Sequence, residues 1–119
     1  MTSHILFEKV DAKWPVTLSE TFLKKVLREE CRYRGLIISD DLDMKALTKN
    51  FSPEEIPVRA IAAGVDLLLY CNEFNKPPMA LAALQQALKD GVLTGQRIDE
   101  SFQKVMDLKK RALGGLKSL

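Results

Sequence analysis

Residues 35–44 read Gly-Leu-Ile-Ile-Ser-Asp-Asp-Leu-Asp-Met. Three aliphatics, Leu36 to Ile38, run straight into Asp40, Asp41 and Asp43. A short apolar run bounded by a glycine and by acids reads as a buried strand with an abrupt end. In parallel α/β folds, ligands bind at the carboxyl ends of strands. The three acids therefore stand where such a fold does its chemistry.

The flanks carry the same theme. Ser3–Phe7 and Val65–Tyr70 are two further apolar runs, the second nearly continuous, as a strand buried on both faces is. Between and after them lie helical patterns. Residues 17–31 carry Ser19 as a cap and Phe22, Leu23, Val26 and Leu27 on one face. Gly35 closes the following turn, where a left-handed conformation is expected. Met44–Leu47 fits a short helical turn. Ser52, Pro53 and Glu55 form a capping box that opens a helix running to Gly64, with Pro57 disturbing its first turn. Residues 79–91 and 99–113 complete the set, the last with Phe102, Val105 and Met106 on one side, and Gly114 and Gly115 end it.

Strands alternating with helices predict parallel βαβ units. The expected fold is α/β, with three parallel strands and helices outside. Three strands leave two open edges, which predicts self-association.

Composition narrows the function. The chain has 119 residues, 46% hydrophobic and 29% charged, with net charge +2. That suits one globular domain. Basic residues form no block of the kind that grips nucleic acid, and no apolar run reaches the ~18 residues of a membrane span. The N-terminus lacks the pattern of a secretory signal. Cys31 and Cys71 form no metal or redox motif and read as free thiols of a reducing compartment, so a cytoplasmic location is expected.

Four readings fit the acids. One is capping of the next helix, which suits Asp41 or Asp43 but needs only one acid. The second is a Mg²⁺ site of Asp40, Asp41 and Asp43, weakened because Asp66 begins its strand rather than ending it. The third is glycosidic chemistry, in which a rigid, ionised carboxylate attacks an anomeric carbon. The fourth is a non-catalytic piece that acts only by pairing with another chain.

The residues in order resemble glycoside hydrolase family 3, of the bacterial β-N-acetylglucosaminidase type. The resemblance rests on MTSHILF, on GLIISDDLDMKAL, on AIAAGVDLLLYC and on the closing RIDESFQKVMDLKKR. It implies a (β/α)8 barrel, a fold of about 250 residues. Residues 1–119 would supply the last three βα units of its catalytic domain. It implies retaining hydrolysis of terminal β-N-acetylglucosaminides from peptidoglycan, with muropeptides as substrates and no metal or organic cofactor. Asp40 matches the nucleophile, and Asp41 matches a position that can be Ala. Met44, and His4 of the first run, fall near the sugar as substrate-binding candidates.

The family's bacterial branch carries its acid/base on a K-H-F-P-G-x-G loop, and its sugar-gripping Lys, His and Arg lie upstream. None of these is in the chain, so the chain alone is expected not to turn over substrate. Arg32 and Arg34 also depart from the family's turn before the strand. Among the other residues, His4 also fits a satisfied structural histidine, Trp14 fits packing better than sugar stacking, Cys71 is expected to be a buried thiol, and Glu29 and Glu30 read as solvated.

Overall fold

The computed structural model describes residues 1–114. The predicted strand at 36–38 is strand β1, Ile38–Asp41, and it pairs in parallel with β2, Leu67–Leu69. Helices α1, Lys45–Thr48, and α2, Glu55–Ala63, form the crossover between them. A 3₁₀ turn at Val16–Leu18 and a π-helix at Thr21–Glu30 precede β1, and helices α3, Lys76–Lys89, and α4, Gly95–Gly114, follow β2. The α/β class and the βαβ order hold.

The count of three strands does not. Among the described residues the sheet has two strands. Residues 3–7 form no ladder with β1: among the described residues the backbone bond from this segment to the strand is that of the Thr2 N–H to the Ile38 carbonyl at 2.9 Å. The Ser3 and Ile5 carbonyls are taken by Thr17 and Val16 of the 3₁₀ turn. A ladder on the β1 side is left with one rung.

The capping serines act, but the box at Ser52 is only half made: no bond returns from the Glu55 side chain to the Ser52 N–H among the described residues, and α2 starts at Glu55, two residues after Pro53. Ser19 Oγ accepts the Phe22 N–H, and Ser52 Oγ accepts the Glu55 N–H at 3.1 Å, contacts that each stabilise a helix by about 0.5–2 kcal/mol. Pro57 falls inside the first turn of α2, where its missing N–H has no partner to lose. Prolines 77 and 78 likewise sit inside the first turn of α3, so the helix starts at Lys76 instead of Met79. Helix α4 starts four residues early, because the Thr94 hydroxyl accepts the Arg97 N–H.

Gly64, at φ 123°, ends α2. Its N–H donates to the Ile61 carbonyl and the Val65 N–H to that of Ala60, the paired bonds of a Schellman motif. At Gly35 the expectation fails: Arg32 takes the left-handed conformation at φ 53°. At Gly35 the exposed Tyr33 ring lies over the position a Cβ would take, so a larger residue there would push that ring aside.

The core lies between the sheet and the helices. Leu18, Leu23, Ile37, Leu42, Leu47, Ile56, Ala60, Ala63 and Val65 form it, with Leu68, Tyr70 and Trp14 against its edge. Truncating a fully buried leucine such as Leu47 to alanine costs about 2–5 kcal/mol. Trp14 stacks on Phe51 at 5.1 Å beneath the Arg59 guanidinium, which is packing. Phe102 on α4 is 56% exposed.

Burial along β1 alternates, with Ser39 and Asp41 on the buried face and Ile38 and Asp40 on the other. That second face is only partly covered, and Leu67 on β2 is 42% exposed.

Candidate active site

Asp40 lies at the carboxyl end of β1, on the open face of the sheet. Register puts it there. Ile38 pairs with Leu67 and Asp41 with Leu69, so β1 spends three steps where β2 spends two. The extra residue makes a bulge at Ser39–Asp40, a device that re-aims a side chain. Ser39 is fully buried, and its Oγ accepts the Leu69 N–H at 2.9 Å, filling the ladder position that the bulge leaves open.

The three acids part company at this point. Asp40 accepts one hydrogen bond, from the Asp41 N–H to Oδ1 at 2.8 Å. Among the described residues its other oxygen meets no donor, and no cation pairs with it. Asp41 points the opposite way. Its Oδ1 accepts the N–H groups of Asp43 and Cys71 at 3.1 and 3.2 Å, and its Oδ2 accepts Asn72 Nδ2 at 3.0 Å. It ties the end of β1 to the chain leaving β2. Asp43 pairs with Lys76 Nζ at 3.3 Å. The acids therefore do not converge, and among the described residues no group of three or more His, Cys, Asp and Glu is placed to hold a metal ion.

His4 reaches the site from the first segment. Nε2 donates to the Asp41 carbonyl at 2.8 Å, and Nδ1 meets Thr17 Oγ1 at 2.9 Å, which in turn meets Thr2 Oγ1. A carbonyl only accepts, so Nε2 carries a proton. Both ring nitrogens are satisfied inside the chain, which matches the structural reading of this residue. Met44 follows the strand end and is 42% exposed. Cys71, expected to be buried, is exposed, as is Cys31. Glu29 and Glu30 are exposed.

Two further features, one beside the site and one at the opposite end of the strands, have no signal in the local residue pattern. Tyr70 continues β2, and its phenol is pushed up to about 12 by burial, with the charges of Asp43 and Asp41 adding to it. At the far ends of the strands, Asp66 is buried beneath Arg28 at 2.8 Å, Lys104 at 3.1 Å and Arg97 at 3.5 Å. It also accepts the Ile37 N–H and the Ser101 hydroxyl. Burial alone would raise its pKa; those two hydrogen bonds and Lys104 outweigh that and hold it below the usual carboxylate value. The spacing Arg97, Ser101, Lys104 along α4 is the available signal, since i, i+4 and i+7 share a helix face.

Asp40 thus lies at the carboxyl end of a parallel strand, the end at which barrel enzymes carry their catalytic residues. Comparison with known proteins gives the family. The model of the glycosyl hydrolase family 3 N-terminal domain matches residues 1–108, and the chain belongs to that family. A β-hexosaminidase of Nitrosospira multiformis is 43% identical over 84 residues, 71% of this chain and 24% of that protein. A solved family 3 β-N-acetylglucosaminidase of Paenibacillus superimposes with a TM-score of 0.89 at 38% identity, over 93% of this chain and 21% of the other. The β-N-acetylglucosaminidase of Thermotoga maritima gives 0.84 at 34% identity, over 90% and 24%. The chain thus spans about a quarter or less of the length of these relatives.

Proposed function

We propose that residues 1–119 act as the last βα units of a (β/α)8 catalytic barrel that hydrolyses terminal β-N-acetylglucosaminides with retention. Asp40 is the nucleophile. One observation carries the reading. Among the acids at the strand end, Asp40 alone is turned to the open face with an oxygen free of donors, while Asp41 and Asp43 are consumed by the fold. A nucleophile must be ionised, rigid and reachable. Asp40 would attack the anomeric carbon through the free oxygen, break the bond to the leaving oxygen and form a glycosyl-enzyme that water then releases.

The open face that Asp40 shares with Ile38 and Leu67 is where the other strands of a barrel would close a pocket. A groove of about 640 Å³ lies instead between the outer helices, lined by Trp14, Val58, Arg59, Ala62, Ala83 and Ala87, and does not include Asp40. Met44, exposed after the strand end, is assigned to contact the sugar. His4 borders the same site, its ring nitrogens occupied, and any contact it makes is through the ring edge. The 119 residues carry no K-H-F-P-G loop. Without a general acid the loss is about 10²–10⁴-fold, and without the sugar-gripping groups more, so the chain turns over nothing by itself. The substrates are muropeptides in the cytoplasm, a setting in keeping with the free thiols of Cys31 and Cys71.

The test is a chimera. Residues 1–114 replace the matching part of the Nitrosospira β-hexosaminidase, and a chromogenic N-acetyl-β-glucosaminide is the substrate. Turnover that Asp40→Ala abolishes is expected. A folded chimera that is inactive with Asp40 intact contradicts the proposal.

A further inference from the structure

Asp40 is flanked by two residues whose side chains are both spent on the other strand. On one side, Ser39 Oγ accepts the Leu69 N–H at 2.9 Å. On the other, the Asp41 carboxylate accepts the Cys71 N–H and Asn72 Nδ2 at 3.2 and 3.0 Å. Leu69, Cys71 and Asn72 all lie on one stretch, the end of β2 and its exit. Ser39 is fully buried and Asp41 is 8% exposed. The Asp41 carbonyl is held as well, by His4 Nε2 at 2.8 Å.

Taken as contacts between the strands alone, these are odd. A regular ladder needs only backbone groups. Here the bulge takes β1 out of register, and two side chains replace the lost backbone partners. What they hold still is the peptide between them. The Asp41 N–H donates to Asp40 Oδ1 at 2.8 Å, so the position of that amide fixes which way the Asp40 carboxylate faces and leaves its other oxygen forward. A displacement of about 1 Å at a reacting group can cost about 10²-fold in rate.

We infer that Ser39 and Asp41 are positioning residues that bracket Asp40, locking the bulged peptide to the exit of β2 so that the Asp41 amide orients the Asp40 carboxylate. The inference rests on the reading of Asp40 as nucleophile. It adds what the family match does not assign: a task for the hydroxyl before Asp40 and for the acid after it. It also separates the two roles at position 41, since the orienting group is the backbone N–H and the carboxylate only anchors it.

The experiment is heteronuclear magnetic resonance on the labelled chain. It reads the scalar coupling across the hydrogen bond from Asp41 ¹⁵N to the Asp40 carboxylate ¹³C. The coupling is expected in the wild type and in Ser39→Thr, which keeps a hydroxyl. It is expected to be lost in Ser39→Ala and in Asp41→Ala, while the Gly64 and Val65 amides at the far end keep their exchange protection. Persistence of the coupling in either alanine variant overturns the inference. If an alanine variant fails to fold, Asn72→Ala decides. It deletes one exposed donor to Asp41, so a weakened coupling supports the bracket and an unchanged one overturns it. In the chimera, Ser39→Ala is expected to lower kcat about 10–100-fold with KM unchanged, and Ser39→Thr to restore it. Undiminished turnover in Asp40→Ala would remove the nucleophile reading and leave the coupling result standing.

Discussion

The two ends of the strand pair hold two very different aspartates. At the amino end, Asp66 is buried under Arg28, Arg97 and Lys104, and accepts from Ser101 and the Ile37 amide besides. At the carboxyl end, Asp40 has one neighbour's amide and open space. One acid is spent entirely on joining β1, β2, α4 and the π-helix. The other is held in place and otherwise left free. A fold that satisfies a buried charge so fully at one end can satisfy one at the other end too, and does so with Asp41. What sets Asp40 apart is the direction the bulge gives it.

The comparison can be broken at either acid. The largest effect belongs to Asp40. In the chimera, Asp40→Ala should lower kcat/KM for an aryl N-acetylglucosaminide by about 10⁴-fold or more, the scale seen when a nucleophile is removed. Urea unfolding of the same variant should shift by about 1–3 kcal/mol, since the Asp41 amide loses its acceptor.

Asp66 should behave in the opposite way. Asp66→Ala leaves three cations without their acid, and urea denaturation should show a loss of about 3–5 kcal/mol. Its pH dependence has a definite sign. The folded pKa lies below the ordinary 3.8, so the unfolded chain binds the proton first. The stability from Asp66 is complete above that value, and is lost as pH falls from 3.8 through the folded pKa. Denaturation midpoints measured down through pH 3 should fall in the wild type more steeply than in Asp66→Asn.

A smaller effect tests the field around the carboxyl end. In a Tyr33→Phe background the phenolate absorbance reports Tyr70, and its midpoint should lie at about 12. Asp43→Asn should lower it, because one of the negative charges that oppose ionisation is gone. The smallest effect is at Met44. Exposed beside the strand end, it should cost less than about 0.5 kcal/mol when cut to alanine. In the chimera that change should raise KM several-fold with kcat nearly kept.

Much of this was legible in the residues. The run into Asp40 marks a strand end because aliphatics stop where acids begin. Ser19, Ser52 and Gly64 announce helix ends by chemistry that acts within four residues. The rest depends on partners distant in the chain. Residues 3–7 look like a strand, since their apolar character does not tell whether the carbonyls meet β1 or the turn at Val16. Arg32, and not Gly35, takes the left-handed conformation, and residue type alone points to the glycine. Nothing in residues 21–30 signals the wider π winding. The bulge is hidden too, because Ser39 reads as an ordinary polar residue until the Leu69 amide is seen against it. Asp66 could have been found from Arg97, Ser101 and Lys104, but only once the strand and α4 were known to touch.

The central claim is that Asp40 forms the covalent bond. The direct measurement is mass spectrometry of the chimera after brief exposure to a fluorinated, slowly released N-acetylglucosaminide. The account predicts one added sugar, on the peptide that spans residues 35–45, at Asp40. A sugar on Asp41, on Asp43 or on an acid elsewhere in a chimera that still turns over substrate would contradict it.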